Sequence, residues 1–111
     1  MSQKGDILFV ISILKGKFMT YQEKYEQLIE RFIERKKLSI SLIQKEAHVG
    51  FKIAKQVYQE WINYHDEVYW HNAVYEMSFM EEVVTPARIM NEFSVSYYFA
   101  KKLFDYYMEI I

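Results

Sequence analysis

Residues 38–63 and 84–109 align without a gap at an offset of 46 residues, and this repeat restricts the fold more than any other feature of the chain. Ser39 meets Thr85, Ile43 meets Ile89, Glu46 meets Glu92, Val49 meets Val95 and Phe51 meets Tyr97. Ala54 then meets Ala100, Lys55 meets Lys101, Val57 meets Leu103 and Tyr58 meets Phe104. What recurs is a hydroxyl residue able to cap a helix, a turn, and an apolar stripe at i, i+3, i+4 spacing, which is the period of a helix and not of a strand. Each copy therefore predicts a short helix, a tight turn and a longer helix. Thr85 stands before Pro86, a residue that loses no hydrogen bond in the first helical turn, so the second copy has the clearer start.

Each copy also has an amphipathic segment ahead of it. Over residues 21–36, Tyr25, Leu28, Ile29, Phe32 and Ile33 form one stripe, with Glu26, Glu30, Arg31, Glu34 and Arg35 on the other side. The offset sets Val74, Tyr75 and Phe79 opposite Leu28, Ile29 and Ile33, and predicts a matching helix over residues 72–82. A second reading of residues 67–75 is a β-hairpin wing turning at His71 and Asn72, because Val68, Tyr69, Trp70, Val74 and Tyr75 favour strands. The expected fold is mainly α: tandem three-helix helix-turn-helix, winged-helix-like units forming an internal pseudo-dimer. Residues 1–20 form an N-terminal extension, 21–64 the first unit and 65–111 the second. A chain of 111 residues is marginal for two independent cores, so the units are expected to share one.

Composition removes several function classes. Hydrophobic residues make up 51% of the chain and aromatics 18%, enough for a packed interior without crosslinks. The absence of cysteine excludes disulfides, thiolate nucleophiles and Cys-based metal sites, and accords with a reducing cytoplasm. The longest apolar run, residues 7–14, has eight residues against the roughly 20 that span a bilayer, and reads as a strand or short packing helix. Met19, just ahead of the strongest helical pattern, reads as an alternative start.

Charge is uneven. Residues 1–20 and 21–63 each carry +2, whereas residues 64–111 carry −5. The first half is thus the better partner for a polyanion. On its long helix Lys52, Lys55, Gln56 and Gln59 lie opposite the apolar stripe, where a recognition helix presents side chains to the major groove. Lysine suits phosphate or guanine and glutamine suits adenine. Ser41, Lys45 and His48 fall near the short helix and turn, beside the expected path of the backbone phosphates. The matching positions of the second copy are Ser94, Ser96, Tyr98, Lys101 and Lys102, diluted by surrounding acids.

Residues 25–62 resemble the gamma domain of the FtsK/SpoIIIE family of DNA translocases, a winged-helix module that reads short orienting sequences in duplex DNA. The resemblance is carried by Ser39, Ile40, Ser41, Leu42, Ile43, Gln44 and Lys45, followed by Val49, Gly50, Phe51 and Ala54. It recurs divergently over 84–109. Where that family carries arginines this chain has Glu46, His48, Ile53 and Gln56, and Lys52 replaces its asparagine, so its sequence preference does not transfer. No GxxxxGK[ST] motor loop is present. What the resemblance implies is an accessory DNA-binding protein of a plasmid, conjugative element or phage.

No catalytic constellation stands out. His65 and His71 are six residues apart, which does not put ligands on one helix face, and neither a Ser-His-Asp nor a Cys-His pattern occurs. The expectation is a non-enzymatic protein without metal or cofactor, away from membranes, that binds double-stranded DNA in transcription, plasmid maintenance or DNA transfer. The competing expectation is a protein-interaction adaptor using the acidic second half.

Overall fold

The structure, a computed structural model, describes residues 20–111. The readings of residues 7–14, of Met19 and, Thr20 apart, of the N-terminal extension lie outside the described residues. Six helices follow one another: α1 Tyr21–Phe32, α2 Ile40–Ala47, α3 Phe51–Tyr64, α4 Glu67–Met77, α5 Pro86–Phe93 and α6 Tyr97–Ile110. Adding 46 to the bounds of α2 and α3 gives those of α5 and α6. No helix among the described residues is long and apolar enough to cross a membrane.

Local chemistry explains most of these limits. Thr20, Ser39, Asp66, Thr85 and Ser96 each accept a hydrogen bond from an amide in the first turn of the helix they precede. Only α3 starts without such a cap, on Gly50. Both short helices end on a left-handed residue, His48 at φ 55° and Ser94 at φ 53°, which turns the chain into the long helix that follows. Gly50 has φ −73° and is therefore not what makes the first turn possible. α1 ends at Phe32, short of residue 36, and Arg35 beyond it is held by the neighbouring helices. Its carbonyl accepts from the Trp61 indole at 2.7 Å, and its guanidinium grips both carboxylate oxygens of Glu46 on α2 at 2.8 Å.

Two expectations are corrected here. Residues 67–75 form no hairpin: they are helical, started by the Asp66 carboxylate accepting from Val68, and no described residue is in a strand. The same helix starts five residues earlier than the sequence reading of 72–82 and buries a different face. Ala73 and Met77 point inward, while Tyr75 and Phe79, which the offset pairs with the buried Ile29 and Ile33, are 67% and 68% exposed. Asp66 caps the start of this helix, and packing against α5 and α6 buries its Ala73 and Met77 face.

The buried apolar side chains form two clusters. One joins Ile29, Phe32 and Ile33 of α1 to Ile43 of α2 and Ala54 and Val57 of α3. The other joins Ala73 and Met77 of α4 to Ile89 of α5, Val95, and Phe99, Ala100 and Leu103 of α6. Ile43 and Ile89, Ala54 and Ala100, and Val57 and Leu103 are repeat partners, so the stripe on the turn and long helix is buried twice by the same rule. Each fully buried aliphatic side chain contributes about 1.5–3 kcal/mol. Tyr64, at the end of α3, packs against both clusters, and its ring meets Phe99 edge-on at 5.2 Å.

The two left-handed turn residues yield a stability prediction. An L-residue in that region costs roughly 1–2 kcal/mol, which glycine avoids at some cost in unfolded-chain entropy. His48→Gly and Ser94→Gly should each raise the urea midpoint, by about 0.5–1 kcal/mol in unfolding free energy. A lower midpoint for either would mean that the native side chain itself stabilises the turn.

Candidate nucleic-acid interface

The start of α3 and the surface of α2 carry the basic residues expected from the sequence. Ser41, Lys45, His48, Lys52, Lys55, Gln56 and Gln59 are all exposed. Lys45, Lys52 and Lys55 form no ion pair with any described residue. No side chain accepts from the first amides of α3, so that helix presents its positive end unoccupied by protein acceptors. Glu46, one of the acids in this stretch, is turned away toward α1. Its carboxyl lies below the usual carboxylate range because Arg35 donates to it.

The two glutamines take a different position from the lysines. The Gln56 carboxamide oxygen accepts from the Tyr21 hydroxyl at 2.8 Å, and its backbone carbonyl accepts from Tyr25 at 3.3 Å. With Gln59 and Asn63 it lines a groove of about 520 Å³, closed on the far side by Asn91 and Ser94 of the second half. The predicted set is thus divided: Ser41, Lys45, His48, Lys52 and Lys55 lie outside this groove, whereas Gln56, Gln59 and Ser94 face one another across it.

The second half departs further from expectation. Ser96 is 1% exposed, which removes it from any phosphate-contacting role. Its backbone N–H donates to Glu60 Oε1 at 2.9 Å, and its hydroxyl donates to the same oxygen. Tyr98 is half-buried against the first cluster, with its hydroxyl donating to Glu34 at 3.2 Å, so it is an inter-helix contact. Lys101 and Lys102 are exposed, but they share a groove of about 430 Å³ with Glu26, Glu30 and Asp105. Lys102 also sits over the Tyr98 ring, 5.5 Å from its centroid.

These contacts close the amino end of α6. Glu26 on α1 accepts from the Tyr97 and Tyr98 amides at 2.6 and 3.2 Å, Glu60 on α3 accepts from Ser96, and the Ser96 hydroxyl accepts from Phe99 at 3.1 Å. Glu60 also accepts from the Tyr25 hydroxyl at 2.8 Å. Burial pushes the Glu60 carboxyl up, against the opposing pull of hydrogen bonds from Ser96 and Tyr25. It pushes the Tyr25 phenol well above its ordinary range, with the neighbouring Glu60 acting in the same direction, so Tyr25 remains a donor. Glu26, Glu34 and Glu60 do not stand out as site residues in the sequence. Glu60 has a visible signal all the same, as a carboxylate beside Val57 and Trp61 on the stripe that packs inward.

His65 and His71 both line a groove of about 330 Å³, with Glu67 and Trp70. Among the described residues no three metal-ligating side chains converge. His65 Nε2 lies 2.8 Å from the Ile33 carbonyl, which can only accept, so this nitrogen carries the proton. Compared with known protein families, curated proteins and solved structures, the chain matches none.

Glu60 supplies a test of this geometry. A buried carboxyl whose value is raised contributes stability that is fully present below the ordinary carboxylate value and is lost as pH rises through the raised one. Glu60→Gln retains an acceptor for Ser96 and removes the charge. The urea midpoint of the unmodified protein should therefore fall relative to that of Glu60→Gln as pH rises from about 4 to about 7. Glu60→Ala should instead cost about 1–3 kcal/mol, because it leaves the Ser96 and Tyr25 donors without their acceptor. Parallel pH profiles for the unmodified protein and the Gln variant would show that Glu60 is not buried in this way.

Proposed function

We propose that this protein is a non-enzymatic, double-stranded DNA-binding accessory or regulatory protein that engages the duplex through α2 and α3. In this reading α1–α3 and α4–α6 are tandem helix-turn-helix units related as an internal pseudo-dimer, and only the first reads DNA. One observation carries the proposal: the two equivalent helix starts differ in what occupies them. The amino end of α6 is filled by Glu26, Glu60 and Ser96, whereas that of α3 has no side-chain acceptor and is accompanied by Lys52 and Lys55. A helix amino end flanked by lysines is a general solution for a phosphate oxygen, and exposed side chains one and two turns along it can reach base edges. Lys45, Ser41 and His48 extend the polar surface along the phosphate path.

Resemblance of residues 25–62 to the translocase gamma domain supports the same reading. It suggests work in transcription, plasmid maintenance or DNA transfer, and a DNA ligand implies a cytoplasmic location. The second unit acts by holding the first in place, since its own long helix is turned against carboxylates that would repel phosphate. Both long helices could enter successive major grooves only if each start were open to the duplex, which the contacts around Ser96 oppose.

The expected outcome is salt-dependent binding to duplex DNA, measured by fluorescence anisotropy on a random pool at two salt concentrations. Lys52→Ala with Lys55→Ala should weaken binding about tenfold or more and lower the salt slope by about one for each phosphate that is no longer neutralised. Lys101→Ala with Lys102→Ala should change it little. Equal weakening by the two double variants would make the units equivalent readers, and absence of salt-dependent binding would end the DNA reading.

A further inference from the structure

α4 has two apolar faces, and only one is used in the fold. Tyr69, Ala73 and Met77, with Met80 beyond the helix end, pack into the second cluster. Val68 and Tyr75 lie seven residues apart on the other side, with Phe79 in the turn just past the helix end, and they are 64%, 67% and 68% exposed. The Tyr75 and Phe79 rings meet edge-on at 5.0 Å, so the stripe is a packed aromatic surface and not a set of isolated side chains. Val83 is 82% exposed in the segment leading to α5. Tyr75 and Phe79 occupy the repeat positions of Ile29 and Ile33, both fully buried in the first half. His71 and Asn72 separate Val68 from the aromatic pair, so the apolar patch centres on Tyr75 and Phe79, and a paired exposed aromatic patch of this kind marks an interaction surface.

Charge identifies the occupant. Beside Phe79 a groove of about 380 Å³ is lined by Glu76, Glu81, Glu82 and Glu92, with Arg88 as the one cation on it. Arg88 is paired with Glu82, and Glu76, Glu81 and Glu92 form no ion pair with any described residue. A symmetric contact with a second copy would bring like carboxylates together, and a nucleic acid would be repelled. We infer that the outer face of α4, with the acidic groove beside it, docks an amphipathic helical segment of another protein that is apolar on one side and rich in lysine or arginine along its edges. Its apolar residues cover Val68, Tyr75 and Phe79, and its cations answer Glu76, Glu81 and Glu92. Acting through the second half, this contact is independent of the DNA reading and would give the protein a second partner.

The probe is a synthetic amphipathic helical peptide of leucine and lysine, titrated against the full chain by fluorescence anisotropy. Controls are a peptide of the same composition in scrambled order and one with glutamate for every lysine. The lysine peptide should bind in a salt-sensitive way, the scrambled one about tenfold more weakly and the glutamate one not at all. Tyr75→Ser with Phe79→Ser, and separately Glu76→Gln with Glu81→Gln, should each weaken it about tenfold with the helical circular dichroism unchanged. Equal affinity for the scrambled peptide, or for the variants, would overturn the proposal. So would a concentration-dependent dimer, seen by sedimentation, that Phe79→Ser abolishes, because the occupant would then be a second copy.

Discussion

Glu60 accepts two hydrogen bonds from Ser96 and one from Tyr25, and through them α1, α3 and α6 meet at a largely buried point on the floor of a groove. Removing a carboxylate from water is costly, and it is tolerated only where donors replace the lost hydration. Here the donors include the amino end of a helix, whose partial positive charge favours an anion. Glu26 adds a second carboxylate at the same helix end. The direction of α6 follows from this pair, and with it the positions of Tyr98 against α1 and of Phe99 beneath Tyr64 and Trp70. The groove walled by Gln56, Gln59, Asn91 and Ser94 is a further result of that docking.

Two copies of one local pattern therefore end in different roles. The difference begins at a single aligned pair, Gly50 and Ser96. Ser96 supplies a side-chain cap and a hydroxyl for Glu60, so its helix turns inward to the first half. Gly50 supplies neither and leaves α3 with its first amides unclaimed by side chains. The companion helices diverge as well. Ile29 and Ile33 complete the core of the first half, whereas α4 buries Ala73 and Met77 and leaves Tyr75 and Phe79 outward.

What can be read from sequence follows the range of the interactions concerned. Caps, turns and stripes are written within a few residues, and α2, α3, α5 and α6 can be placed from Ser39, Thr85 and the spacing of Ile43, Ala54, Val57 and their partners. The start and inner face of α4 differ from the sequence reading because Val74, Tyr75 and Phe79 copy the apolar pattern of α1, while the start is capped by Asp66, an unobtrusive residue in a short connection, and the inner face is chosen by packing of Ala73 and Met77 in the second cluster. At the candidate site, Lys45, Lys52 and Lys55 are legible as an exposed basic set. Burial of Ser96 and Tyr98 is not, since it depends on Glu34 and Glu60, between 36 and 64 positions away in the chain. Local patterns carry no record of such pairings.

That separation also governs the order in which the molecule assembles. Closing a loop costs more entropy the longer it is, so the helix-to-helix contacts of near neighbours form before the longest ones between the triplets. The bonds from Glu26 to Tyr97 and Tyr98 span 71 and 72 positions and are the longest closures among the described hydrogen bonds. Each triplet thus has its own cluster to nucleate on, and the bonds from Glu26 to the amino end of α6 are the late closures that join them.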